Sequence, residues 1–270
     1  MSDSSLLWQL QPPHGQPRWL FGSMHIRDNR VYWYGEKLYP LIQQADVYVG
    51  EMELDVAEQI TFTQTYDLKS HLSAKVYEKM RKQLLKSFRL DIEPYVHLHP
   101  LLAISAISQS RLAADHQVSL DEHLWNFAKS HEIETQGLES YPEQAQILHS
   151  LDPEPLYKQL MKISRSPSSI SQQAHKTLSW YMKGDIHQLY RMTKSSMHGL
   201  RKKIIYDRNR IMVNRILAFD EMKKYFIVVG AGHLSGKYGL IALLKQSKWK
   251  VRPIQLTWDQ KNTPPPRANV

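Results

Sequence analysis

Two segments place a histidine at the same offset from a glycine: Gly22-Ser-Met-His25 and Gly230-Ala-Gly-His233. The first closes the apolar run from Arg18 to Met24, and the second follows the run from Phe226 to Val229. Short apolar runs broken by glycine read as buried strands. A third run, Asp46-Val-Tyr-Val-Gly-Glu51, ends in a carboxylate. Open α/β sheets collect ligands at the carboxyl ends of their strands, so His25, His233 and Glu51 form the candidate site. Two imidazoles and one carboxylate, with positions left open, make a catalytic zinc arrangement. They equally make the facial triad of non-haem iron. A divalent ion there would lower the pKa of its water to about 7 and supply hydroxide at neutral pH. Singly, a histidine after a strand is more often a capped or core residue than a ligand, and a glutamate at a strand end is usually solvated. The repeated context is what favours a site.

Glu139 ends a further strand-like run and is either a fourth ligand or a general base on a metal-bound water. It also reads as a residue complementing the dipole of the helix that Pro142 opens. Glu53, two residues beyond Glu51, is the reserve ligand. Arg208, in the helical stretch Asp207-Arg-Asn-Arg210, is a candidate for holding a carboxylate or an oxyanion. A surface pair with Asp207 is its plainer reading. His97 and His99, beside prolines, read as loop residues. Gly-x-Ser-x-Gly, His-Glu-x-x-His and the phosphate-binding Gly-x-x-x-x-Gly-Lys-Ser/Thr are all absent from the sequence, so serine hydrolase, zincin and P-loop chemistries have no support.

These residues need a scaffold. Leu6 to Leu10 and Arg18 to Met24 read as a hairpin around Gln11-Pro-Pro-His-Gly-Gln-Pro17. Tyr34 to Ala45 has helical period, and the order strand, helix, strand implies a right-handed crossover and a parallel pair. From about 55 to 215 the pattern is mostly helical. Helices are expected at Ser73 to Phe88, Leu101 to Leu112, Leu120 to Lys129, from Pro142, Leu178 to Met192 and Ile204 to Leu217. A strand from Ile133 to Leu138 is the exception. Lys75, Lys79, Lys82 and Lys86 line one stripe, read as a solvated face. Ser164 to Ser171 reads as a mobile loop, and Lys250 to Leu256 as a last strand. The expected fold is α/β (α+β): a small mixed sheet from the two chain ends, about 5–54 and 220–258, with a large helical insertion, about 55–215. One domain over 1–260 and a flexible tail over 261–270, with Thr263-Pro-Pro-Pro-Arg, complete the expectation.

Apolar residues make up 42% of the 270 positions, enough for a real core. Cysteine is absent, which excludes disulfides and thiolate metal sites. The net charge of +9 is spread along the chain; with no nucleic-acid-binding module recognisable, no nucleic-acid partner is expected. No basic-then-apolar leader and no membrane-spanning run is seen, so a cytoplasmic location is expected.

Together these segments resemble the TraB/GumN family, related to the Tiki metalloproteases. Leu20-Phe-Gly-Ser-Met-His25 is similar to the family's first Gly-x-x-His segment, with Ser23 where Thr is usual. Ala45 to Glu51 resembles its strand ending in glutamate. Leu120-Asp-Glu-His with Gly137-Leu-Glu139 resembles its central segment. Met182-Lys-Gly-Asp185 and Arg208-Asn-Arg210 resemble helical markers. Val229 to Gly236 resembles the second Gly-x-x-His segment and is the most specific match. The resemblance implies a small mixed sheet with a helical insertion. For the Tiki branch it implies peptide cleavage dependent on a divalent metal ion (Zn, Mn or Co), using both histidines and a glutamate. The expected assignment is metal ligands His25, Glu51 and His233, with Glu51, Glu139 and Arg208 catalytic, acting on a peptide or protein substrate. The alternative is a non-enzymatic regulatory protein that binds a peptide or other ligand in the same cleft. Many bacterial members are exported, so the missing leader is a departure from the family.

Overall fold

A computed structural model describes residues 4–55, 66–196 and 200–256. The expected flexible tail, including Thr263 to Arg267, lies outside the described residues. The chain divides into two compact units, one of residues 1–58, 114–141 and 179–270, the other of 59–113 and 142–178.

The first unit holds a six-stranded mixed sheet. Its strands are β1 (Leu7–Gln11), β2 (Arg18–Ser23), β3 (Val47–Met52), β4 (Glu134–Glu139), β5 (Tyr225–Gly230) and β6 (Lys250–Ile254), in the order β4-β3-β5-β2-β1-β6. β1 pairs antiparallel with β2 and β6, while β2, β5, β3 and β4 run parallel. The fold is thus the expected α/β one, with the sheet drawn mainly from the two ends of the sequence and β4 contributed by the middle. β5 is apolar throughout because it is central: Phe226, Ile227 and Val229 have no exposed surface. β2 and β3 are parallel but not neighbours, because β5 lies between them; the expected crossover pair is split by a strand that begins only at Tyr225.

Around this sheet α1 (Asn29–Ile42) starts at Asp28, whose carboxylate accepts from Arg30 N. α4 (Leu120–Ser130) starts at Ser119, whose hydroxyl accepts from Glu122 N. α8 (Ile186–Ser196), α9 (Arg208–Leu217) and α10 (Leu240–Gln246) follow. Arg18 is fully buried, donates to Ile216 O, Phe219 O and Asp220 O at the end of α9, and lies over Phe219, Tyr225 and Trp249. A buried guanidinium is tolerated here because carbonyls and aromatic faces replace water.

In the second unit α2 (Ala74–Phe88) and α3 (Pro100–Gln109) pack on α6 (Glu154–Arg165). α2 buries Tyr77, Met80, Leu84 and Phe88, one stripe of the helix. His99 is a buried N-cap rather than a loop residue: its Nδ1 accepts from Leu101 N as Pro100 opens α3. α5 (Tyr141–His149) and α7 (Pro167–Met182) complete the helices that link the units in sequence. The serine-rich segment is not a loop. α6 runs to Arg165 and α7 begins at Pro167, leaving Ser166 alone between them, because proline fits the first turn of a helix where its missing N–H costs nothing. The helix expected from Leu178 to Met192 is likewise interrupted: α7 ends at Met182 and Gly184 takes φ +64° before α8.

Candidate functional site

Four parallel strands bring their carboxyl ends to one edge, with Met52 opposite Glu139 and Ser23 opposite Gly230. Glu51, Glu139 and the 3₁₀ turn Ala231–His233 are delivered there. Gly22 makes the turn fit: a Cβ on it would stand 2.5 Å from the Leu234 side chain and 3.0 Å from Ala231 Cα. This explains the first glycine of the Gly-x-x-His pair as a packing requirement.

Arg208 is the centre of the cluster. It opens α9 directly after a π-helical segment, Lys202–Asp207, a local widening that recurs at functional sites. Its Nε lies 3.0 Å from both Glu139 oxygens, and its Nη2 2.5 Å from Glu139 Oε2. Nη2 also donates to Glu51 Oε1. Among the described residues Nη1 has long partners, Ile204 O at 3.4 Å and His233 Nε2 at 3.5 Å. Side-chain exposure is 10% for Arg208, 1% for Glu139 and 26% for Glu51, so Glu51 is the wet corner. The expected surface pair of Arg208 with Asp207 does not form; Asp207 binds Lys202.

Burial pushes Glu51 up, but the Arg208 charge, His233 and the Gly230 N–H outweigh it and hold the carboxyl at about 2. Burial likewise lowers His233 to about 4, only partly offset by Glu51, so its ring is neutral near pH 7. His233 Nδ1 lies 2.5 Å from Asn209 Oδ1, and Asn209 Nδ2 donates to His233 O and Tyr238 O. The amide orientation is fixed by those two carbonyls. Nδ1 therefore carries the proton, and Nε2 faces Glu51 Oε1 at 3.8 Å as a bare lone pair.

His25 is held differently. Its side chain is 66% exposed, and its Nδ1 lies 3.5 Å from Asp121 Oδ2. Asp121 stands in the first turn of α4, where the helix dipole favours a carboxylate, and its Oδ1 accepts from Ser23 Oγ. The nearby Asp121 carboxylate raises the His25 pKa, and the charges of Glu122 and Glu51 add to it. Glu53 is exposed beyond the end of β3 and joins neither group.

Glu51, Glu139, Arg208 and His233 thus come together, and His25 pairs with Asp121. Sequence reasoning gave Asp121 and Asn209 no role. Ser119 as an N-cap signal would have placed Asp121 in a first helical turn; nothing local signals that Asn209 reaches His233. Among the described residues no three His, Asp or Glu side chains are grouped so as to hold a metal ion. The donor set explains why. Glu51 and His233 offer two suitable atoms, but the Arg208 guanidinium occupies the place of a cation between the carboxylates. A three-ligand divalent site does not fit this arrangement as it stands.

A mixed sheet with a Glu51–Arg208–Glu139 cluster at the carboxyl ends of its parallel strands defines an α/β protein with a candidate site at that edge. The chain belongs to the TraB/PrgY/gumN family, whose model matches residues 6–253. No curated protein and no solved structure matches it. Among the described residues, no helix is long and apolar enough to cross a membrane.

Proposed function

We propose that this chain is a hydrolase acting on a peptide or protein. The observation that carries the reading is His25: an exposed imidazole 3.5 Å from the Asp121 carboxylate, two residues past the carboxyl end of β2. With Nδ1 facing Asp121 Oδ2 at 3.5 Å, Nε2 is the nitrogen left to take a proton from water as it attacks a carbonyl. The same proton then passes to the leaving amine. Arg208 Nη1, the least committed donor of the cluster, supports the developing oxyanion. Glu51 and Glu139 hold the guanidinium in place, and His233 accepts from it.

The test is cleavage of a mixed peptide library by the purified chain, in EDTA and with added Zn²⁺, Mn²⁺ or Co²⁺. Cleavage in EDTA that falls about 10²–10⁴-fold in His25→Gln supports the reading. Cleavage only with a metal, lost in both His233→Ala and Glu51→Gln, replaces it with the divalent-ion form, in which Glu51 must leave Arg208. One observation favours a second reading, a regulatory binding protein: both cluster carboxylates are already bound to Arg208. Absence of cleavage under every condition, with a peptide that binds and is displaced in Arg208→Met, selects it.

A further inference from the structure

The exposed face of α2 carries Lys75, Lys79, Lys82 and Lys86. At 100° per residue they fall within about 60° of arc and extend about 17 Å along the helix. The stripe lies directly opposite the buried Tyr77, Met80, Leu84 and Phe88. Its charge is net positive, with Glu78 the one carboxylate among the lysines. Neighbouring cations have partners, Arg81 with Asp91 and Lys69 with Glu93, whereas none of the four lysines pairs with a carboxylate among the described residues. Glu78 is the one acidic residue of the helix. Val76 and Leu85 flank the stripe and are 36% and 49% exposed.

We propose that this face docks on an anionic lipid surface. Three features choose that partner over a nucleic acid. The charges are all lysine, compact and strongly hydrated, and not the arginine fork that grips phosphate bidentately. The aromatic residues of α2, Tyr77 and Phe88, are buried on the opposite face and offer the lysine stripe no surface for bases to stack on. Two aliphatic side chains flank the charges, as on helices that lie in a membrane interface. A straight row of lysines suits a diffuse sheet of negative headgroups, where each contributes about five-fold to binding within a Debye length of the surface.

The experiment is sedimentation of the full chain with vesicles of phosphatidylcholine alone and of phosphatidylcholine with phosphatidylserine. Binding is expected only to the second, weakening as salt rises. Replacing Lys75, Lys79, Lys82 and Lys86 by Gln should weaken it on the order of 10²–10³-fold with the melting temperature unchanged. Replacing the exposed Lys158, Lys176, Lys183 and Lys250 by Gln controls for general basicity and should change binding far less. Equal loss in the two variants, retention in the first, or displacement from vesicles by a single-stranded oligonucleotide at lower concentration than by free anionic lipid would overturn the proposal.

Discussion

Asn209 bonds His233 from two sides, accepting from ring Nδ1 at 2.5 Å and donating to the residue's own carbonyl at 3.1 Å. One side chain thereby sets both the tautomer of the ring and the course of the turn that bears it. The ring of His233 is expected to be neutral and protonated on Nδ1 at pH 7, which nitrogen NMR of the labelled histidines reads directly. A ring protonated on Nε2 contradicts the arrangement. Asn209→Leu leaves buried donors and acceptors without partners, at about 1–3 kcal/mol each.

Arg208→Met strands two carboxylates, one of them fully enclosed. Removing one partner of a buried ion pair costs about 3–5 kcal/mol, and urea denaturation should show a loss of that order. Adding Glu51→Gln and Glu139→Gln to the same chain should recover much of it. Arg208→Lys should fall between, since it keeps the charge but not the fork. A single variant as stable as the parent would mean the cluster is not formed.

Stability should fall as the solution is acidified from pH 7 to 4.5. His233 has a folded pKa of about 4 against an ordinary 6.5, so the unfolded chain holds more protons between those values. The contribution is full above 6.5 and gone below 4, about 3 kcal/mol in all. His99 in the second unit is also lowered to about 4 by burial and titrates over the same window. Glu51 adds nothing until lower pH, since its contribution is present above 4.5 and lost as pH falls through about 2. Melting curves of His99→Asn, which keeps an N-cap without titrating, should show a shallower decline than the parent. An identical decline argues against the buried, neutral state of His99.

Gly236→Ala should destabilise by more than ~1 kcal/mol. The position has φ +92°, and a Cβ there would stand 2.1 Å from the Tyr190 ring. Tyr190→Leu in the same chain should relieve the contact but not the backbone strain, so thermal melts should show partial recovery. Full recovery would assign the whole cost to the ring.

The strand ends were legible because each is an apolar run stopped by glycine or a charge, a local pattern. That pattern placed His25, Glu51 and His233 at one edge; the structure groups Glu51 and His233 with Arg208 and Glu139, and sets His25 beside Asp121. The identity of what binds what was not legible. Arg208 reaches Glu51 across 157 positions and Glu139 across 69, and a helix facing a sheet edge leaves no periodicity to announce it. Asp121 was hidden for the same reason, as its partners Ser23 and His25 lie on another element. The serine-rich segment misled because composition favours a loop, while Pro167 in a first helical turn decides otherwise.

The strand order has a consequence for biosynthesis. β2 and β3 leave the ribosome early, yet the strand that joins them, β5, is made only after residue 224. Until then their facing edges have no partner, and unpaired edges invite association between chains. β1 waits longer still for β6. The pairings of β5 with β2 and β3 therefore close after β1–β2 and β3–β4 can already form, and contacts of such long sequence separation close slowly. Nascent chains of this protein should depend on whatever shields β2 and β3 until Tyr225–Gly230 arrives.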